Sequence, residues 1–258
     1  MVAPPGERLR VITRFDRYEL KYVVPLATGD AIAQDLAQHT TPDPHGDQGA
    51  YRVVSLYYDS PTLDLYWANL DRAKYRRKLR LRLYVNGDIQ QTERGMVEIK
   101  QRINRAVHKR RIELALAQAE SLCAGELDPT TLDARDRPIA TEVQDFTQAM
   151  QLRPTAITDY HRRAFVGTNE TEDLRVTIDT AVRGRCDALR VNRAANNHSI
   201  LPPGLCVLEV KINGALPPWM RTLLAHHQCP PQGMSKYCTV VSQLLQPQQG
   251  AALRVSGS

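Results

Sequence analysis

Apolar and polar residues alternate at a period of two along much of this chain. Lys78, Arg80, Arg82 and Tyr84 alternate with Leu79, Leu81, Leu83 and Val85. An extended strand places the first set on one face and the second on the other. The pattern returns four times. Glu19 and Lys21 alternate with Tyr18, Leu20 and Tyr22; Glu98 and Lys100 with Val97 and Ile99; Arg175, Thr177 and Asp179 with Leu174, Val176 and Ile178; Glu209 and Lys211 with Leu208, Val210 and Ile212. One such strand is ordinarily half exposed, with its charges in water. Recurrence predicts that the charged faces share a surface. Strands are expected over 14–24, 51–59, 78–85, 96–101, 107–116, 152–166, 174–182, 185–191 and 206–212.

Helical spacing marks the intervening segments. Residues 25–38 carry Ile32, Ala33 and Leu36 on one face, with Thr28 a candidate N-cap. After the strand at 51–59, Ser60 can cap a helix with Pro61 in its first turn and Leu63, Tyr66, Trp67 and Leu70 as its apolar stripe. Residues 117–150 read as a mostly helical outer cap broken at Pro129 and Pro138, and 217–225 and 236–245 read as closing helices. Asn86-Gly87 signals a tight hairpin, and a further turn is expected near Asn104. Residues 40–49 and 201–204 read as loops. In 107–116, Lys109, Arg111 and Glu113 alternate with Arg110 and Ile112, so both faces begin charged and the register stays open.

Strands with one apolar and one charged face limit the architecture. Helices must cover the apolar faces, and the charged faces need water or a ligand. An antiparallel eight-stranded β-barrel in an α+β fold satisfies both, with basic side chains in the lumen, helices outside, and closure removing exposed edges. Cations crowded in a lumen repel, by about 4 kcal/mol for two charges 4 Å apart at an effective dielectric of 20. A polyanion would relieve that.

Composition sharpens this only slightly. The chain has 258 residues and a formal charge of +6, which favours an anionic partner. Cys123, Cys186, Cys206, Cys229 and Cys238 form no C-x-x-C pair, so reduced thiols are expected. No apolar run approaches the roughly 20 residues of a membrane helix, and the start lacks a signal-like apolar stretch, so a soluble, cytoplasmic chain without a membrane segment is expected. Asn169-Glu170-Thr171 and Asn197-His198-Ser199 read as chance matches to the glycosylation pattern. No phosphate-loop or dinucleotide glycine pattern is present, nothing reads adenine, and no nucleic-acid partner is expected.

Eight fragments in order carry a family resemblance: RYELKY (17–22), YYDSP (57–61), KLRLR (78–82), VEIK (97–100), RRAF (162–165), RVTIDT (175–180), LEVK (208–211) and SKY (235–237). Together they resemble the VTC domain, the polyphosphate polymerase branch of the triphosphate tunnel metalloenzymes. The resemblance implies an eight-stranded antiparallel tunnel over 14–245, between an N-terminal extension (1–13) and a frayed tail (246–258). It also implies a phosphotransferase that moves the γ-phosphate of ATP onto polyphosphate or pyrophosphate with Mn²⁺ or Mg²⁺. Matched position by position, the phosphate-binding residues are Lys21, Arg80, Arg82, Lys100, Lys109, Arg162, Arg175, Lys211 and Lys236. Of these, Arg80, Arg82, Lys100, Arg162 and Lys211 are the expected catalytic groups, and Glu209 resembles the metal-binding glutamate. The match also turns Lys109 and Arg111 inward and selects Arg162 over Arg163. Arg17 stands where hydrolytic tunnel enzymes carry the first glutamate of Glu-x-Glu-x-Lys, which argues against a well-formed hydrolytic metal pair. Two other readings stay open: a tripolyphosphate or nucleoside triphosphate hydrolase, and a polyphosphate-binding module without turnover.

Overall fold

A computed structural model describes residues 17–104, 106–168 and 171–246. The expected N-terminal extension, the tail beyond Gln246 and the first two residues of the Asn169 motif lie outside them. In chain order the elements are β1 (Arg17–Pro25), α1 (Leu26–Leu36), β2 (Thr40–Pro42), β3 (Ala50–Asp59), α2 (Asp64–Leu70), β4 (Tyr75–Val85), β5 (Arg94–Ile103), β6 (Ala106–Ala115), α3 (Leu116–Cys123), α4 (Arg137–Met150), β7 (Arg153–Gly167), β8 (Arg175–Arg185), β9 (His198–Ser199), β10 (Leu205–Asn213), α5 (Pro218–His226) and α6 (Lys236–Leu244).

All strand pairs are antiparallel, and eight strands run in the order β1-β10-β8-β7-β3-β4-β5-β6; β2 adds to β7 and β9 to β8. The sheet curls with its charged face inward. Leu79, Leu81 and Leu83 are fully buried on the outside with Val97, Ile99 and Ile112, where α3 and α4 cover them. On the far side, Val176, Ile178, Leu208 and Val210 pack against α1 and α5. Alternation therefore sorts each strand into an outer core face and an inner charged face.

The expected full closure is not reached. β1 and β6 end the hydrogen-bonded path without pairing with each other. Side chains span the seam instead: Lys100 Nζ of β5 lies 3.2 Å from Glu19 Oε2 of β1.

Local corrections have local causes. The α1 cap is Pro25 rather than Thr28, which lies inside the helix. Before α2, Ser60 Oγ accepts from Asp64 N, while the Asp59 carboxylate accepts from Leu65 N and Tyr66 N, so Pro61 sits in the preceding turn rather than in the helix. Pro138 opens α4 instead of breaking it, as proline's fixed φ allows in a first turn. Thr40–Pro42 is a strand rather than loop. The strand expected over 185–191 does not form beyond Arg185, because the buried Arg185 guanidinium donates to the carbonyls of Ala188, Arg190 and Arg193 and to Asn197 Oδ1, and the chain wraps around it. Asn86-Gly87 does not make a two-residue hairpin either. Residues 86–93 form a longer connection with a 3₁₀ turn at Ile89–Gln91.

Helix α6 packs on the inner side of β7 and β8, joining α2 through the Tyr66 hydroxyl and Ser242 Oγ, 2.9 Å apart. Gly184 makes room for it, since a Cβ there would lie 2.3 Å from Val240 Cγ2 and 2.7 Å from the Ile157 carbonyl. The second contact is rigid backbone. We therefore expect Gly184→Ala to destabilise the protein by about 1–3 kcal/mol, as overpacking does. Urea unfolding measures it, and an unchanged midpoint would show that α6 is not seated on Gly184.

Candidate functional site

The inner wall is built around shared carboxylates. Glu98 of β5 is buried, and the register places it beside Arg80 of β4 and Arg111 of β6. Arg80 Nε lies 2.6 Å and Arg82 Nη1 3.8 Å from Glu98 Oε2, and the Lys109 ammonium meets the other oxygen. Burial opposes ionisation of Glu98, but Arg80, Arg82 and Lys109 outweigh it and hold the carboxyl well below its ordinary range. Arg82 also donates to Ser55 Oγ at 3.0 Å and the Tyr160 hydroxyl at 3.4 Å, and Arg80 to the Tyr57 hydroxyl at 3.2 Å.

A second cluster lies on β7, β8, β10 and β1. Arg162 forks onto Asp179 at 2.6 and 2.8 Å, and Lys236 of α6 reaches the same carboxylate at 2.6 Å. Burial disfavours the charged form of Asp179, but Arg162 and Lys236 prevail and hold its pKa at about 2. Glu209 faces Lys211 at 3.2 Å, Lys21 at 3.4 Å and Arg162 at 3.8 Å. Burial pulls Lys211 down to about 8 against the attraction of Glu209 and Glu19. Tyr160 joins the two clusters: Arg82 donates to its hydroxyl, and Lys236 and Arg162 lie 4.6 and 5.3 Å from its ring centroid.

All nine expected phosphate ligands lie on the inner wall, but they are not equally central. Arg80, Arg82, Lys109, Arg162, Lys21, Lys211 and Lys236 converge. Lys100 sits at the seam, and Arg175 is tied to Asp43 at 2.8 Å and Tyr51 at 2.9 Å. The choice between neighbouring arginines agrees with the geometry: Arg163 pairs with Asp30 of α1 and Arg110 with Glu142 of α4, both outside. Arg111 is exposed and forms no ion pair among the described residues.

The expectation of a cation-filled lumen awaiting counter-charge needs correction. Glu19, Asp43, Glu98, Asp179 and Glu209 already neutralise part of the wall. Cations still outnumber them about two to one, because each central carboxylate serves two or three partners. Alternation had marked Glu19, Glu98 and Asp179 as inner residues; Glu19 pairs with Lys21 on its own strand, but Glu98 and Asp179 take their partners from other elements.

Sequence reasoning also passed over Lys78 and Tyr57. Lys78 donates to Ser235 Oγ at 2.9 Å and has no carboxylate partner among the described residues; its place in the KLRLR alternation was the available signal. Tyr57 stacks on Tyr237 at a centroid distance of 4.9 Å. Its burial raises the phenol's pKa, but Arg80, Arg82 and Lys78 overcome this and bring it to about 7. A cavity of about 960 Å³ is lined by Arg52, Arg162 and Arg163, which are committed to Asp159, Asp179 and Asp30.

The VTC domain family model matches residues 16–245. The chain belongs to the VTC domain family. No curated protein matches it. Among solved structures it is similar to a candidate adenylate cyclase from Bacillus halodurans, at 12% identity and TM-score 0.47 over 84% of this chain and 92% of that one. A candidate adenylyl cyclase from Hippeastrum with a dominant triphosphatase activity gives 13% identity and TM-score 0.48 over 88% and 95%. A Pyrococcus horikoshii protein gives 10% and 0.45 over 88% and 98%. These are loose likenesses; the family assignment stands on the family match.

The inner wall of this VTC domain can be tested for the divalent cation that the resemblance implies. The Glu19 and Glu209 carboxylates meet at the Lys21 ammonium, 2.9 and 3.4 Å from it. Thr177, the register partner of Glu209, has a buried hydroxyl without a hydrogen-bond partner among the described residues. No group of three or more His, Cys, Asp or Glu side chains gathers as a metal cage among the described residues. Two carboxylates and a hydroxyl are hard oxygen donors, and they fit Mg²⁺ or Mn²⁺ that takes most of its shell from phosphate and water.

Glu98 makes the acid response predictable. Its folded pKa lies below the ordinary 4.5, so the stability it contributes is complete above that value and declines as pH falls below it. Glu98→Gln should remove this acid component and destabilise the neutral-pH protein by about 3–5 kcal/mol, since it strands buried cations. Urea unfolding across pH 3–7 checks both expectations: parallel, offset curves for the two proteins would contradict the first, and coincident curves would contradict both.

Proposed function

We propose that this VTC domain is a metal-dependent phosphotransferase that transfers the γ-phosphate of ATP to the end of a polyphosphate chain. One observation carries the reading. Arg80, Arg82, Lys109, Arg162, Lys21 and Lys211 converge on one wall, held by buried carboxylates too few to neutralise them. A triphosphate complements that surplus.

Phosphoryl transfer has a loose transition state with charge spread over peripheral oxygens, so fixed positive charge suffices and no protein nucleophile is needed. Arg80, Arg82 and Arg162 supply planar forks anchored from behind by Glu98 and Asp179, with remaining N–H groups for phosphate oxygens. Lys21, Lys109 and Lys211 add movable point charges. Glu19 and Glu209 would hold Mg²⁺ or Mn²⁺, which when bound supplies Lewis-acid neutralisation of the donor phosphates. The acceptor is a terminal phosphate oxygen, already anionic at neutral pH, so the reaction needs no strong base.

Incubating the purified protein with γ-labelled ATP and Mn²⁺ and separating chains from free phosphate tests the reading. Label in polyphosphate supports it; label only in orthophosphate makes the protein a hydrolase; binding without turnover makes it a polyanion module. Arg80→Ala and Arg82→Ala should each lower turnover by about 10²–10³-fold, the scale of losing one preorganised donor, with the fold intact by circular dichroism. Normal turnover in both would remove the inner wall from the chemistry.

Glu209→Gln should weaken Mn²⁺ binding to the tripolyphosphate complex, read by electron paramagnetic resonance. Unchanged Mn²⁺ affinity would leave Glu209 as a partner of Lys21 and Lys211 alone.

Proton linkage gives a further outcome. A bound polyanion disfavours the Tyr57 phenolate and favours the Lys211 ammonium, so binding takes up protons where these groups titrate, near 7 and 8. Tripolyphosphate affinity should fall between pH 7 and 9, and Tyr57→Phe should move the start of the fall to higher pH. Calorimetric titration in buffers of different ionisation enthalpy measures it; a flat profile would contradict it.

A further inference from the structure

Tyr57 carries a nucleophilic oxygen that transfer between phosphates leaves unused. In the antiparallel register it lies directly opposite Arg80, whose Nη1 donates to its hydroxyl at 3.2 Å. Glu98 holds the same guanidinium at Nε, 2.6 Å away, so Arg80 is fixed against the phenol oxygen. The ring is fixed as well. It stacks on Tyr237 with centroids 4.9 Å apart, and the Tyr237 hydroxyl donates to the buried Asp59 carboxylate that also caps α2.

Other hydroxyls of the wall are placed differently. Ser55 is an alcohol, which attacks phosphorus only with a neighbouring base to deprotonate it. Its hydrogen-bond partner is instead a cation, Arg82 Nε at 3.0 Å. Burial raises the Tyr51 phenol above its ordinary value despite Arg175 and Arg162. Tyr84 is lowered by Arg82 against burial, but its exposed ring lies beyond Arg82 at the end of β4. Tyr57 needs no base: burial opposes its ionisation, but Arg80, Arg82 and Lys78 bring it to about 7, so about half is phenolate at neutral pH.

The surroundings of Tyr57 also suit a phosphate ester. Arg80 Nη2 makes no hydrogen bond among the described residues. Lys78 is the neighbour of Arg80 on the same face of β4 and has no carboxylate partner among the described residues. Both can donate to phosphate oxygens.

Resting on the triphosphate reading above, we propose that Tyr57 is a self-phosphorylation site: with no chain end in the wall, its phenol oxygen takes the terminal phosphoryl group of a bound nucleoside triphosphate. A bond forms between Tyr57 Oη and the terminal phosphorus. The bond from that phosphorus to the bridging oxygen breaks, and the nucleoside diphosphate leaves with the oxygen and its electron pair. The phenol proton has already gone to solvent. Phosphotyrosine carries about −1.5 to −2 charge at pH 7, set against Arg80 and Lys78, and cancels part of the surplus that binds triphosphate. Self-phosphorylation therefore closes the site while acceptor is scarce, and a bound acceptor competes with it.

Incubating the full chain with γ-labelled ATP and Mn²⁺, with and without pyrophosphate, and mapping phosphopeptides by mass spectrometry tests this. A single phosphoryl group per chain should appear on Tyr57, resolved from Tyr58 by fragmentation, and pyrophosphate should suppress it. Tyr57→Phe, which keeps the stacking face toward Tyr237, should lose the protein-bound label. Phosphorylated protein freed of nucleotide should bind tripolyphosphate about tenfold more weakly, the scale of one lost charged hydrogen bond. Label in polyphosphate with none on Tyr57, label on Tyr58 or Tyr84 instead, or labelling that pyrophosphate leaves undiminished would overturn self-phosphorylation and leave the transferase reading standing. No label in polyphosphate, orthophosphate or protein would overturn the transferase reading and this inference with it.

Discussion

The sharing of three buried carboxylates among many cations is the constraint on which the rest of this structure depends. An arginine withdrawn from water without a partner costs several kcal/mol, so the inner wall could not hold its guanidiniums without Glu98, Asp179 and Glu209. One carboxylate per cation would give a neutral wall with nothing to offer an anion. Here Glu98 serves Arg80, Arg82 and Lys109, and Asp179 serves Arg162 and Lys236. Sharing keeps the wall folded and leaves it positive.

That arrangement requires a surface that brings distant strands face to face. A flat sheet would spread these groups across one plane and expose them to water, where ion pairs contribute little. Curling folds the plane on itself, so Lys100 of β5 meets Glu19 of β1 across the unpaired seam, and Tyr160 of β7 lies among Arg82, Arg162 and Lys236. The outer faces supply the driving force for curling, because their leucines and valines are buried only when the helices wrap around them. Helix α6 completes the wall from inside, bringing Lys236 to Asp179 and Ser235 to Lys78.

Much of this was legible beforehand because a strand's period of two is a local property. Alternation placed Lys78, Arg80 and Arg82 on one face and Leu79, Leu81 and Leu83 on the other before any partner was known. The family fragments then selected Arg162 over Arg163 and Lys109 over Arg110, which a strand with two charged faces could not do alone. The proline and glycine signals transferred less well. Pro138 and Asn86-Gly87 fit more than one local geometry, and tertiary packing selected between them.

The sequence by itself determined which residues share a face, that the faces are of two kinds, and to which family the chain belongs, since these follow from near-neighbour spacing and ordered fragments. Only the tertiary structure decided which acid neutralises which base and that the seam between β1 and β6 is spanned by side chains. Most of those contacts join different elements, some far apart in the chain, such as Lys78 with Ser235 and Lys100 with Glu19, and others nearer, such as Glu98 with Arg80 and Lys109. Coulombic and packing energies depend on distance in space, and no spacing along the chain encodes that distance until the sheet has curled.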